Sequence, residues 1–317
     1  MKHIYLFVLV MTFLSTAVES QETHFSQFYT TSVYLNPALA GIQEESKLTL
    51  NYRNQWPQIQ NSFITQNVTF ETNLSSQNNG LGVNVYRDKA GDGMLTSTAF
   101  SGVYAHEIKL SKTLYLRVGM KAGFVQRNVA WNRLVFEDMI DSREGIVYNS
   151  QQKVGEATSY FDASSGVFIY SKKYYGGFSA NHINQAETGL INKNGTSKLK
   201  RGYTLHGGAK YQLNGSSDYS ISPNIIISKQ GTFTKYNFGA YIEANSFVFG
   251  LWYANSESMV MIFGVKGKHF QIGYSYDLYP SSMMGINLNS HEISYVQTFN
   301  KPKNRPKKYR TTSCPKF

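Results

Sequence analysis

Side chains that could carry out catalysis are few in this sequence, and they do not form a known catalytic set. His106-Glu107 and His291-Glu292 each pair a histidine with an acid, but neither has the second histidine four residues later that a zinc-protease helix requires. The single cysteine, Cys314, cannot form a disulfide framework or a paired-thiolate metal site. The sequence also has no nucleophile elbow and no phosphate-binding glycine loop. We therefore predict that the protein is not an enzyme and has no catalytic residue, no metal site and no cofactor.

The elements that must carry these side chains are predicted to be β-strands. From about residue 47 to residue 299, apolar and polar residues alternate with a period of two. In one example, Tyr236, Phe238, Ala240 and Ile242 make an apolar face, and the residues between them are mostly polar or small. Fourteen candidate strands are predicted to begin near Lys47, Asn61, Gly80, Met94, Leu114, Ser159, Tyr174, Tyr203, Tyr219, Thr234, Phe247, Met259, Phe270 and His291.

Composition decides between the two folds that such alternation allows, a soluble β-sandwich and a membrane barrel. The chain contains 23 Tyr, 20 Phe and 3 Trp, together 15% of its residues, and membrane barrels use aromatic residues as interfacial girdles. Its mean hydropathy of -0.34 is that of a soluble protein, but a barrel that alternates lipid-facing and lumen-facing residues averages to ordinary polarity as well. We therefore predict an all-β fold, a transmembrane antiparallel β-barrel of about 14 strands spanning residues 46–299, with the β-sandwich as the alternative.

The start of the chain resembles a secretory signal. Lys2 and His3 form a short basic start, and an apolar run follows from Ile4 to Leu14. This run is too short for a membrane-spanning helix, which needs about 20 residues, so a membrane anchor is the weaker interpretation. We predict that residues 1–20 are removed, that the mature chain begins at Gln21, and that the barrel lies in the cell outer membrane.

Residues 21–45 show neither strand alternation nor a long helical face. Five aromatic residues, counting His24, occur in this segment, and Asn36-Pro37, followed by Gly41, is a turn signature. Because the aromatic side chains need burial, we predict an N-terminal plug inside the barrel, with a disordered arm as the alternative. The plug residues proposed to dock a partner or the barrel wall are Phe25, Phe28, Tyr29, Asn36 and Pro37.

The end of the chain is strongly basic. Residues 300–317 hold seven Lys or Arg and no acid, and the whole chain has a formal net charge of +11. A secreted protein seldom meets nucleic acid, so we predict no nucleic-acid partner and favour lipid headgroups, peptidoglycan or a protein at the inner face of the membrane. The predicted periplasmic tail carries its basic groups on Lys301, Lys303, Arg305, Lys307, Lys308, Arg310 and Lys316.

Several motifs together resemble one family. In chain order they are residues 24–29 (HFSQFY), 35–41 (LNPALAG), 51–57 (NYRNQWP), the turn at 88–93 (DKAGDG), 131–138 (WNRLVFED) and the end 314–317 (CPKF). This set is similar to the PorP/SprF family of Bacteroidetes. The N-terminal motifs are specific, whereas the turn and the end are individually weak.

The resemblance implies an outer-membrane component of the type IX secretion system, with a barrel similar to that of the FadL family. It implies no active site. It favours a protein that binds a secreted cargo with a C-terminal sorting domain, for example an adhesin used in gliding motility, and that contacts other secretion components at the periplasmic face. A FadL-like transporter of small hydrophobic molecules is the alternative, and a general porin is less favoured because a plug would obstruct diffusion.

Charged and aromatic residues outside the plug complete the candidate site. Arg53, Trp56, Pro57 and Trp131 are predicted to dock partners or the plug, although a girdle tryptophan, a strand-ending proline and an ion-pair arginine are simpler roles for them. Acids on the lumen side, among them Asp162 and Glu243, are predicted to pair with Lys121, Arg117 or Lys235.

Overall fold

A computed structural model of the chain forms a closed barrel of fourteen antiparallel strands. The structure describes residues 24–59, 62–74, 78–91, 93–141, 143, 145–146, 157–189, 197–213, 218–255, 258–279 and 289–299. The predicted residues 1–20 and the predicted basic tail, including Cys314, lie outside this part of the chain.

The strands follow the alternation that the sequence predicts, and each begins within two residues of its predicted start. Their bounds are β1 Ser46–Gln55, β2 Phe63–Leu74, β3 Asn79–Ala90, β4 Leu95–Lys109, β5 Tyr115–Val129, β6 Thr158–Tyr170, β7 Tyr174–Asn181, β8 Gly202–Ala209, β9 Tyr219–Gln230, β10 Phe233–Ala244, β11 Phe247–Ala254, β12 Ser258–Lys266, β13 Phe270–Leu278 and β14 Ser290–Phe299.

Each strand pairs with its neighbours in sequence, and the first strand pairs with the last. The pairing of β1 with β14 runs from Ser46 opposite Phe299 to Gln55 opposite Ser290. The sheet therefore has no free edge, and its backbone groups find their partners within the sheet. The predicted barrel is confirmed, and the β-sandwich alternative is wrong.

The remaining elements are short. A single helical turn, α1 (Ser32–Leu35), and a 3-10 turn, Pro37–Leu39, lie in the N-terminal segment. The connection after β5 contains two 3-10 turns, Trp131–Arg133 and Glu137–Met139. It also contains a pair of two-residue strands, Ile140–Asp141 and Gly145–Ile146. A further short strand, Tyr211–Gln212, pairs with β9. Within the described residues, no helix is long and apolar enough to cross a bilayer.

The outer face of the sheet is apolar and the inner face is polar, which is the reverse of a soluble protein. On β1, Leu50 and Tyr52 point outward and are about 40% exposed, at 39% and 41%. Thr49, Asn51 and Arg53 alternate with them, point inward and are buried. An apolar outer face and a polar inner face are what a barrel surrounded by lipid requires.

The two ends of the barrel differ in their connections. We call the end where β1 begins and β14 ends the proximal end, and the opposite end the distal end. The strands are joined at the proximal end by residues 75–78, 110–114, 171–173, 210–218, 245–246 and 267–269. The long connections 130–157 and 182–201 both lie at the distal end. Outer-membrane barrels have short periplasmic turns and longer extracellular loops, so we infer that the proximal end is periplasmic.

Glycine and charged residues predict turns at residues 88–93 and 265–268, and both of these turns are shifted. Asp88 and Lys89 belong to β3, where Asp88 stands opposite Ser97 of β4, so the turn predicted at 88–93 begins only after Ala90. Val265 and Lys266 likewise belong to β12. Charged residues suggested a turn at both places, but the strands continue because these residues still pair with the neighbouring strands. Clusters of Gly, Asn and Ser predict two further turns, at residues 75–79 and 214–217, and both include residues outside the described part of the chain.

The outward position of Leu251 leads to a stability prediction. Leu251 is 53% exposed near the middle of β11, and Phe247 is equally exposed on the same face where the strand begins. Leu251→Arg should lower the free energy of unfolding in lipid vesicles by about 2–4 kcal/mol, whereas Phe247→Arg should cost about 0–1 kcal/mol because it lies near the interface. Urea titration of tryptophan fluorescence would measure both, and equal costs would contradict the proposed placement of lipid around β11.

Candidate functional site in the barrel interior

The N-terminal segment, residues 24–41, lies against the inner face of the barrel. Its aromatic side chains Phe25, Phe28 and Tyr29 are at most 8% exposed. The Phe28 ring lies 4.8 Å from the ring of Trp252 on β11. The Tyr29 ring packs edge-on at 5.9 Å from Tyr175 on β7 and joins an aromatic cluster there. In the structure this segment therefore packs against the wall and does not form the disordered arm considered as the alternative.

Asn36 holds the turn that the sequence predicts in this segment. Its amide Nδ2 donates to the carbonyl oxygen of Val167 at 3.0 Å and lies 3.1 Å from His206 Nε2, while its Oδ1 accepts from the backbone N–H of Ala38. The last bond caps the 3-10 turn that begins with Pro37, whose missing N–H costs nothing at this position. Asn36 therefore joins the turn to the wall at β6 and β8.

The wall beneath this turn is made of glycines. At Gly166, a Cβ atom would overlap Asn36 Oδ1, and at Gly119 it would overlap the backbone of Ala38. Both positions demand glycine for close approach rather than for an unusual backbone angle. The seat for residues 36–38 is thus built by two strands, β5 and β6, that are far from this turn in the sequence.

Arg117 on β5 binds the backbone of the turn directly. Its Nε donates to the carbonyl oxygen of Ala38 at 2.8 Å, and its Nη2 donates to that of Ala40. Its Nη1 pairs with Glu107 at 3.2 Å, and Glu107 also accepts a bond from the Tyr170 hydroxyl. Arg117 is fully buried, and a buried charge needs compensation. Glu107 and the two backbone carbonyl groups supply it, and these carbonyl groups gain a hydrogen-bond donor in return. The sequence offered no signal for this role.

Arg53 makes a second attachment near the distal end. It pairs with Asp277 at 2.6 Å and with Glu292 at 3.4 Å, and its Nη1 donates to Ser26 Oγ at 2.6 Å. The backbone N–H groups of Ser26 and Gln27 donate to the two carboxylate oxygens of Glu292. Arg53, predicted as a docking residue or an ion-pair partner, thus pairs with two acids and with the N-terminal segment.

Glu71 on β2 makes a third attachment, near the proximal end. It pairs with Lys47 at 2.7 Å and accepts a bond from the backbone N–H of Gly41 at 2.7 Å. Asn73 donates to the carbonyl oxygen of Gly41, also at 2.7 Å. The segment therefore runs from the level of Arg53 in the distal half of the lumen to the level of Glu71 near the proximal end, and then enters β1.

The other predicted site residues lie apart from this segment. Trp56 follows β1 at the distal end with a φ of 59°, and its ring contacts those of Phe63 and Tyr279. Pro57 is exposed beside it. Trp131 stacks on Phe136 in the connection after β5. Their proposed docking roles stay predictions, as do those of the basic tail residues.

The predicted partners of Asp162 and Glu243 are wrong, whereas Arg117 does pair with an inward-facing acid, Glu107. Asp162 contacts His182 at 2.8 Å, and Glu243 pairs with Lys210 at 2.7 Å and with Lys266 at 2.9 Å. Strand alternation shows which residues face inward but not which strands are neighbours across the lumen, so the correct partners were not visible. No three His, Cys, Asp or Glu side chains of the described residues group as metal ligands.

A cavity of about 630 Å³ lies beside the N-terminal segment in the distal half of the lumen. It is bounded by β2 to β6, by Gln230 and Phe233 where β9 meets β10, and by the described residues 182–189 and 197–200 between β7 and β8. Tyr34 of the segment and Tyr86 of β3 stack at 5.7 Å and form part of its wall. The cavity also receives Lys121 and Arg127 from β5. Its volume falls in the range of pockets that hold small ligands, roughly 300–1,000 Å³.

The closed strands, apolar exterior and buried polar interior define an outer-membrane β-barrel. Two solved structures share this fold: the toluene transporter TbuX of Ralstonia pickettii, with a TM-score of 0.53 and 11% identity over 86% of this chain and 94% of that one, and the monoaromatic hydrocarbon channel CymD, with a TM-score of 0.51 and 12% identity over 89% and 95%. The predicted FadL-like fold is confirmed.

The family assignment comes from the sequence match. Residues 17–296 match the family described as type IX secretion system membrane protein PorP/SprF. The chain therefore belongs to the PorP/SprF family, as its motifs predicted, and is an outer-membrane component of that secretion system. No curated protein matches the chain in sequence.

The contacts of Arg117 lead to a prediction about the N-terminal segment. Arg117→Gln should speed hydrogen exchange in residues 24–41 about tenfold or more, because bonds from a charged donor to the carbonyls of Ala38 and Ala40 are lost. Mass spectrometry of the purified barrel would measure it. Arg87→Gln, which changes an exposed arginine of β3, is the matched control. Unchanged exchange in the Arg117 variant would show that other contacts suffice to hold the segment.

The buried group formed by Arg53, Asp277 and Glu292 allows a test of charge balance. Arg53→Met leaves Asp277 and Glu292 buried without their cation and should lower the free energy of unfolding by about 3–5 kcal/mol. Adding Asp277→Asn and Glu292→Gln should recover part of this loss, since neither of these two side chains then carries a buried charge. Urea unfolding in vesicles would compare the variants. A triple variant less stable than Arg53→Met would argue against this account.

Proposed function

We propose that this barrel binds a secreted protein cargo of the type IX secretion system and helps to export it or anchor it at the cell surface. The cargo is proposed to carry a C-terminal sorting domain, as an adhesin of gliding motility would. The observation that carries the proposal is the attachment of residues 24–41 to the wall by Arg53, Glu71 and Arg117. A lumen that holds a tightly bound segment suits binding better than free conduction.

In this proposal the N-terminal segment acts as a plug. Three buried charged groups from three parts of the wall bind its backbone, and its aromatic rings fill the space next to Trp252 and Tyr175. Breaking a buried pair by removing one partner is costly, so the segment should stay in place without a strong opposing interaction. Solutes would then not pass freely, which argues against a general porin.

Other components of the secretion system are the proposed partners at the periplasmic end. Family membership implies association with such components and with cargo. The basic tail, with Lys301, Lys303 and Arg305 at its start, follows β14 at the proximal end, which we infer to be periplasmic. A run of cations there suits an acidic protein surface or anionic headgroups.

A transporter of small hydrophobic molecules is the second candidate. The fold likeness to TbuX, a toluene transporter, and the cavity beside Tyr34 favour it. The cations of the cavity, among them Lys121 and Arg127, argue against it because an apolar solute offers them no counter-charge.

Deletion of the gene followed by mass spectrometry of surface and culture-medium proteins would test the cargo role. We expect one or a few proteins with C-terminal sorting domains to leave the surface, and expression of the wild-type chain to restore them. The Arg87→Gln variant, altered only on the outer face, should restore them equally well. An unchanged surface proteome, together with reduced uptake of an apolar solute such as toluene, would favour the transporter instead.

A further inference from the structure

We propose that the cavity beside Tyr34 binds an extended acidic peptide segment that enters from the distal end of the barrel. This inference rests on the proposed function, since the peptide would belong to the cargo. It goes further in naming the binding place and the chemistry of the bound segment.

Charge is the first argument. Four cations, Lys121, Arg127, Lys198 and Lys200, line the cavity, against two acids. Both acids are already engaged: Asp88 accepts a bond from the Thr65 hydroxyl at 2.7 Å, and Asp162 contacts His182 at 2.8 Å. The lining therefore carries a positive charge that a bound anion would neutralise.

The surroundings of Lys121 and Arg127, the two cations that β5 contributes, support this assignment. Lys121 Nζ lies 5.6 Å from the centre of the Tyr34 ring, and within the described part of the chain it forms no ion pair. Arg127 Nε is shielded from solvent and has no hydrogen-bond partner among the described residues. Buried donors are normally paired, so the unpaired Nε of Arg127 beside the cavity points to a bound acceptor.

The spacing of these cations sets the shape of the ligand. Lys121 and Arg127 both face inward on β5 and are six residues apart, which separates them by about 20 Å along an extended strand. One small anion cannot reach both groups. An extended chain with carboxylates at intervals can.

The lining between the two cations distinguishes a peptide from an aliphatic chain. Ser101 lies between them on β4 and Ser97 stands opposite Arg127, and the rings of Tyr86 and Phe233 also border the cavity. A hydrocarbon chain would bury these hydroxyl groups without hydrogen-bond partners, which is unfavourable. A peptide offers backbone N–H and C=O groups to the hydroxyls and side chains to the rings.

The test uses the full-length barrel in detergent micelles and a fluorescein-labelled eight-residue peptide of alternating aspartate and alanine. Fluorescence anisotropy should show binding that weakens as salt rises, and an alternating lysine and alanine peptide should not bind. Lys121→Gln and Arg127→Gln should each weaken binding about tenfold or more. Lys172→Gln, at an exposed position in the proximal turn after β6, is the matched control and should leave binding unchanged.

Three outcomes would overturn the inference: equal binding of the lysine peptide, no effect of Lys121→Gln and Arg127→Gln on binding, or tighter binding of oleate than of the acidic peptide. Circular dichroism of each variant would show that the barrel is intact, so a loss of binding reflects the removed cation. The deletion experiment separates this inference from the proposed function. If wild-type expression restores the missing surface protein but the acidic peptide does not bind, the cargo role stands and the cavity assignment fails.

Discussion

The pairing of β1 with β14 is the interaction on which the rest of this structure depends. It joins the two ends of the strand sequence, from Ser46 opposite Phe299 to Gln55 opposite Ser290. Lipid offers no hydrogen-bond partners, so two open edges would leave a row of N–H and C=O groups unpaired in hydrocarbon. Closure removes both edges and separates an apolar outer surface from a lumen. Every later feature, including the buried charges, exists because that lumen is enclosed.

An enclosed lumen makes polar side chains costly unless they find partners. Arg53, Glu71 and Arg117 lie on the inner face and are at most 4% exposed. The N-terminal segment has the complementary need, because it is mostly irregular and leaves backbone groups such as those of Ser26, Ala38 and Gly41 without helical or sheet partners. Wall and segment satisfy each other, and neither would be stable in its present form alone.

Such an interior suits recognition. One side of the lumen is occupied by a segment bound to the wall, and the other is a cavity that exposes cations toward the distal end. TbuX and CymD share the barrel but are only 11% and 12% identical to this chain, so the likeness concerns the fold alone. The lumen of this chain is lined by its own set of buried polar side chains. Here that lining is charged, which is consistent with membership of a secretion family and with a polypeptide ligand.

The sequence by itself determined the strands, the membrane setting and the family. Alternation with a period of two is a local property, so each strand start could be found within two residues, and the motifs at residues 24–41 and 51–57 indicated PorP/SprF. Only the tertiary structure showed that Arg117 binds the carbonyls of Ala38 and Ala40, that Glu292 binds Ser26, and that Trp131 lies apart from the segment.

These contacts join residues that are far apart in the chain, 266 positions in the case of Ser26 and Glu292. Which residues meet across the lumen depends on the register and curvature of all the strands between them, and no local pattern encodes that.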